Sequence, residues 1–162
     1  MIFITLGSQK FQFNRLLRSV DRLVENGDIE DDIFAQIGCS DYEPHNYRYK
    51  KFLDRTEFAD NIVKSDIVIT HGGTGVVMEA VKHGKKVIAV PRLARYGEHV
   101  DDHQVQLLKQ FEDMDIIEVC HDLDHLDETI NRVRQKEYQD YVSNTGKIIE
   151  SIETYLMEQK RR

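Results

Sequence analysis

Apolar residues along this chain fall into two kinds of stretch that take turns. Short, nearly unbroken runs occupy residues 1–6, 33–37, 67–69, 86–90 and 116–119, and are rich in isoleucine, valine and phenylalanine. Runs of that composition predict strands buried on both faces. Between them lie longer segments in which apolar residues recur every third or fourth position. Phe13, Leu16, Leu17, Val20, Leu23 and Val24 mark one helix, stopped by Asn26-Gly27, and Phe58, Ala59, Ile62 and Val63 mark a second. Val76, Val77, Ala80 and Val81 mark a third, capped by Gly84. A fourth spans 100–114 on the stripe Val100, Leu107, Leu108 and Phe111, and Leu126, Ile130 and Val133 mark a fifth. Residues 39–51 are polar, with three tyrosines and Pro44, and read as a long surface loop with Phe52-Leu53 as a short strand behind it. Strands and helices in this alternation predict an α/β fold, a parallel sheet with helices on both faces. Ligands bind such sheets beyond the strands' C-terminal ends, where Gly7-Ser8, His71 to Gly75 and the polar loop 92–104 all fall.

The segment 65–79 carries the chemistry. The run Ile67, Val68, Ile69 stops at Thr70-His71, and Gly72, Gly73 and Gly75 stand where a strand's C-terminal end turns into the first turn of the third helix. The unpaired N–H groups of a helix's first turn, at the positive end of its dipole, bind anions, and glycines let a phosphate approach without a Cβ in the way. Glu79 lies five residues past Thr74, roughly 7 to 8 Å along the helix at a rise of about 1.5 Å per residue. A carboxylate at that distance suits a ribose diol, since it accepts from two hydroxyls at once. A solvated helix residue is the other role open to it.

Composition narrows the function classes. At 162 residues with 40% apolar content the chain makes one domain with a substantial core. With 29 acidic against 22 basic residues the net charge is -7, and no basic stripe offers a footprint for nucleic acid. Cys39 and Cys120 are far apart and lack neighbouring cysteines, so they form no zinc spacing or disulfide framework and suit a reducing cytosol. The run at 1–6 has no basic region before it and is too short for a signal peptide, and no segment is long enough to span a bilayer.

Other motifs compete with the phosphate reading. Gly73-Thr74-Gly75-Val76-Val77-Met78 begins like a dinucleotide fingerprint, but Met78 stands where the third glycine is needed. His99 and His103 are four apart and share a helical face as metal ligands only if both are helical. Asp113-Met114-Asp115 and Asp122-Leu123-Asp124 match a metal-holding Asp-x-Asp in form but lie away from the ligand edge. His45, His83, His121 and His125 read as surface residues.

The ordered set Thr70-His71-Gly72-Gly73-Thr74-Gly75, Glu79, Gly84, Val90-Pro91 and Asp102-His103-Gln104 resembles the donor-binding half of family 28 glycosyltransferases. It looks most like the small single-lobed branch, which includes the catalytic subunit of the two-part UDP-GlcNAc transferase of dolichol-linked oligosaccharide synthesis. The stretch from Tyr96 through Gly97, Glu98 and His99 to Gln104 is similar to bacterial members that act in capsule and exopolysaccharide assembly. The resemblance covers most of the chain to about Met114.

What it implies is one Rossmann-like lobe of a GT-B-type enzyme, with a UDP-sugar as donor substrate. Gly72, Gly73 and Thr74 would hold the diphosphate, with Gly7 and Ser8 approaching from the first loop. Glu79 would take the ribose, and Asp102, His103 and Gln104 the hydroxyls of the transferred sugar. The uracil edge would be read by backbone near Phe52. His71 is open to two roles, general base or a phosphate-binding and packing residue; in two-lobed relatives the base comes from the acceptor lobe, which favours the second. No metal is expected, because helix and backbone donors meet the diphosphate's charge.

Residues 1–140 would form the donor domain and 141–162 a C-terminal helix. Its stripe of Tyr141, Val142, Ile148, Ile149, Ile152, Tyr155 and Leu156 would either dock a partner or pack on its own domain. One lobe needs a second, so the expected partner is a membrane-anchored acceptor-binding subunit that presents a lipid-linked saccharide. That arrangement places the chain in the cytoplasm, peripheral to the membrane. A nucleotide-sugar-binding module without chemistry of its own is the alternative.

Overall fold

The computed structural model describes residues 1–139. Six parallel strands form one sheet: β1 (Ile2–Thr5), β2 (Ile33–Gln36), β3 (Arg48–Lys50), β4 (Ile67–Thr70), β5 (Lys86–Ala89) and β6 (Glu118–Val119), in the order β3-β2-β1-β4-β5-β6. Among the described residues five helices connect and cover them: α1 (Asn14–Glu25), α2 (Arg55–Lys64), α3 (Thr74–Lys82), α4 (His103–Asp113) and α5 (Leu126–Gln135). This is the Rossmann-like α/β lobe that the apolar pattern and the resemblance lead one to expect.

Alternation along the strands divides the core in two. Ile2 and Ile4 of β1, Ile67 and Ile69 of β4 and Ile88 of β5 point to the face covered by α1 and α5. Phe3, Val68, Val87 and Ala89 point to the other, with Ile62 of α2, Val77 and Ala80 of α3 and Leu108 of α4. Most of these side chains are fully buried, each stabilising the fold by about 1.5–3 kcal/mol when an aliphatic side chain leaves water. The sheet order reverses direction between β1 and β4, which are hydrogen-bonded neighbours from Ile2↔Ile67 to Thr5↔Thr70. The chain after β1 runs to α1 on one face and the chain after β4 to α3 on the other. The crevice between their C-terminal ends is the switch point where α/β sheets bind ligands.

The structure corrects the sequence in two places. The short strand lies at Arg48–Lys50, and Phe52 stands 52% exposed beyond it. An edge strand such as β3 needs backbone bonds on one side only, so its Arg-Tyr-Lys composition carries no apolar run. The fourth helix begins at His103 rather than 100, and Val100 is 74% exposed in the loop before it. The stripe Tyr141 to Leu156 lies outside the described residues.

Candidate functional site

β4 delivers His71 to the switch point, and the glycines around it are fitted to its ring. Gly7 follows β1 with φ +73°, and a Cβ there would come within 2.7 Å of His71 Cε1. A Cβ at Gly73 would lie 2.8 Å from Nε2 of the same ring. Gly72 takes φ +85° and packs under Leu108 of α4. The loop after β2 closes against this cluster, since a Cβ at Gly38 would meet the Gly7 carbonyl oxygen at 2.7 Å. Three loops therefore converge in close contact at these glycines.

Gly73 is the N-cap of α3, with no side chain capping the helix and no acidic residue in its first turn. Thr74 and Gly75 are exposed, and nothing lies within 4 Å of the Cβ position at Gly75. The amides of that turn thus face open space at the positive end of the helix, a site for an anion.

His71 is 7% exposed. Burial, and next the charge of Arg92, push its pKa down to about 4 against a weaker upward pull from a hydrogen bond to the Thr5 backbone. The ring is neutral at ordinary pH, its Nδ1 3.4 Å from Thr70 Oγ1.

The remaining expected residues surround this centre unevenly. Ser8 is exposed in the first loop. Glu79 lies on the exposed side of α3, 3.4 Å from His83 Nε2. Asp102 and His103 open α4; Asp102 Oδ1 accepts from the Ala94 N–H at 2.9 Å and Gln104 Oε1 from the Arg92 N–H at 3.2 Å. These bonds fix the 92–104 loop at the β5 end of the crevice.

Two buried groups give no signal in the sequence. Arg92, 1% exposed, donates from Nη2 to the Leu6 carbonyl oxygen at 2.7 Å. Glu98, fully buried, accepts from Arg15 Nε and Nη2, both at 3.0 Å, and from the Leu93 N–H. In a stretch this polar, both read as solvated loop residues. A cavity of about 560 Å³ lies beside the crevice, bounded by Arg15, Arg18, Tyr96, Glu98 and Asp124, and contains none of the glycines.

His99 sits in the loop and packs on Phe11 at 5.3 Å between ring centres, so it shares no helical face with His103. The two Asp-x-Asp sequences serve ion pairs and turns: Asp113 meets Lys109, Asp115 meets Lys136, Asp124 meets Arg22, and Asp122 accepts from the Asp124 N–H. Among the described residues no three His, Cys, Asp or Glu side chains gather as a metal set, and no helix is long and apolar enough to cross a membrane.

The fold has counterparts of known structure. The calicheamicin glycosyltransferase CalG4 superposes with a TM-score of 0.60 at 17% identity, over 83% of this chain and 36% of that one. The Streptomyces sp. SF2575 glycosyltransferase SsfS6, complexed with thymidine diphosphate, gives 0.57 at 15% identity, over 84% and 33%. MurG of Acinetobacter baumannii gives 0.57 at 18% identity, over 81% and 40%. At such identities the likeness is one of fold, and the chain spans about a third to two fifths of each neighbour. No curated relative matches it. Residues 1–158 do match the glycosyltransferase family 28 C-terminal domain, and the chain belongs to that family.

Proposed function

We propose that this chain binds a UDP-sugar and is the donor-binding, catalytic subunit of a two-component glycosyltransferase. The observation that carries the reading is the uncapped N-terminus of α3, opened by Gly72 and Gly73 at the β1/β4 switch point in a family 28 domain. The diphosphate lies on the amides of Gly73, Thr74 and Gly75, with Gly7 and Ser8 opposite. Glu79 takes the ribose, and Asp102, His103 and Gln104 the sugar. An acceptor hydroxyl attacks the anomeric carbon, the bond from that carbon to the diphosphate oxygen breaks, and the electron pair leaves with the nucleoside diphosphate. The helix N-terminus stabilises the charge growing on that oxygen. A histidine with a pKa near 4 is a weak base at neutral pH, which supports a packing role for His71 and a base on another lobe.

The other lobe belongs to a membrane-attached partner that holds a lipid-linked saccharide, in capsule or exopolysaccharide assembly, with this chain cytoplasmic and peripheral. CalG4 and MurG, two of the solved neighbours, are each more than twice the length of this chain. Calorimetry with UDP and with dTDP tests the donor, and binding of UDP is expected to persist in EDTA because no metal is needed to meet its charge. Sugar transfer to a lipid-linked acceptor is expected only when the partner is co-expressed. Transfer by the isolated chain, or UDP binding that needs added magnesium, would overturn the corresponding part of this reading.

A further inference from the structure

Arg92 ties the loop after β5 to the loop after β1. It follows β5 and reaches past the end of β4 to the end of β1, where Nη2 holds the Leu6 carbonyl oxygen. Its guanidinium carbon stands 5.4 Å from the centre of the Phe13 ring. Its backbone N–H is held by Gln104, at the sugar end of the crevice. Nε and Nη1 are buried without a hydrogen-bond partner among the described residues. Glu98, the carboxylate whose charge acts on Arg92, has both oxygens engaged by Arg15 and the Leu93 N–H. A buried cation with donors unmet destabilises a fold, and groups of that kind collect where their charge has a use.

The use follows from what Arg92 adjoins. Leu6 precedes Gly7; Gly7 abuts the His71 ring; the ring abuts Gly73; and Gly73 opens α3. We propose that Arg92 is a positioning residue for the donor's diphosphate, fixing the Leu6-Gly7 turn and placing a positive charge beneath the phosphate position without touching the ligand. The inference rests on the donor reading above. It assigns part of the affinity for the two phosphates to a residue outside the glycine-rich turn.

NMR titration of the full chain, which reads weak as well as tight binding, compares UDP with uridine and dTDP with thymidine. Arg92→Met is expected to lower affinity for the nucleoside diphosphate at least tenfold and to leave nucleoside affinity within twofold. Arg92→Lys, which keeps the charge, should recover most of the loss. Equal losses for diphosphate and nucleoside would reduce Arg92 to a strut and overturn the proposal, as would unchanged diphosphate affinity. Should Arg92→Met fail to fold, Arg92→Gln removes the charge while keeping a donor for Leu6, and the same pair of ratios decides. A wild-type chain that binds neither diphosphate refutes the donor reading itself; one that binds, with variants unaffected, refutes only the role of Arg92.

Discussion

Glu79 of α3 and His83, which caps the helix's C-terminal end, sit one turn apart, each nearly half exposed. An exposed pair of this kind contributes about 0–1 kcal/mol, so a ribose diol offering two hydrogen bonds to the carboxylate displaces the imidazole readily. Glu79→Ala is expected to weaken UDP binding by about 1.5–3 kcal/mol while leaving the fold intact. Calorimetry that found full affinity in the folded variant would remove Glu79 from the site. His71 makes a pH prediction. Above its unfolded-state pKa of 6.5 the ring is neutral in both states and adds no pH dependence. As pH falls from there towards 4, the unfolded chain takes up a proton that the folded chain refuses, so stability drops by about 3 kcal/mol. Urea unfolding at about pH 7 and about pH 4.5 should show a larger loss in wild type than in His71→Gln; equal losses would place the titration elsewhere.

α1 does more than cover the sheet. Asp21 faces inward from it and accepts from the Tyr42 hydroxyl at 2.6 Å and from the His45 and Asn46 amides at 2.9 and 2.8 Å. Burial alone would raise this carboxyl, but those bonds together hold it below its usual value, and the Tyr42 hydroxyl is pushed up to about 12 by the same contact. The Tyr47 hydroxyl adds a bond to the Leu17 carbonyl oxygen, so the polar loop before β3 is fastened rather than loose. Asp21→Ala is expected to cost on the order of 3 kcal/mol in urea unfolding and to expose residues 39–47 to proteolysis. A variant as stable and as resistant as wild type would show that the loop holds itself. The limits of the sequence show in the same elements. β1, β4 and β5 were legible because strands buried on both faces must be apolar throughout. β3 was not, because its Arg48 and Lys50 point to solvent. The glycine-rich turn was legible because glycine is needed where the chain takes positive φ or touches a ring. Asp21, Arg92 and Glu98 were not, because a charged residue in a helix or a polar loop looks the same whether it faces water or a buried partner.

At the scale of the molecule, the site is a property of strand order. Loops from β1, β4 and β5 meet because those strands are adjacent, although their sequence positions span most of the chain. β1 pairs with β2 about thirty residues on and with β4 only at Ile67. On the ribosome, its β4 side therefore stays bare after its β2 side is covered. Through that interval the amides and carbonyls of Ile2–Thr5 form an open edge flanked by Phe3 and Ile4, which are fully buried in the finished fold. Pairings so distant in sequence form slowly, and an open apolar edge is a template for joining other chains. The same central placement that lets β1 carry Gly7 into the site makes the half-synthesised chain its most aggregation-prone form, and makes the emergence of β4 the event that ends the exposure.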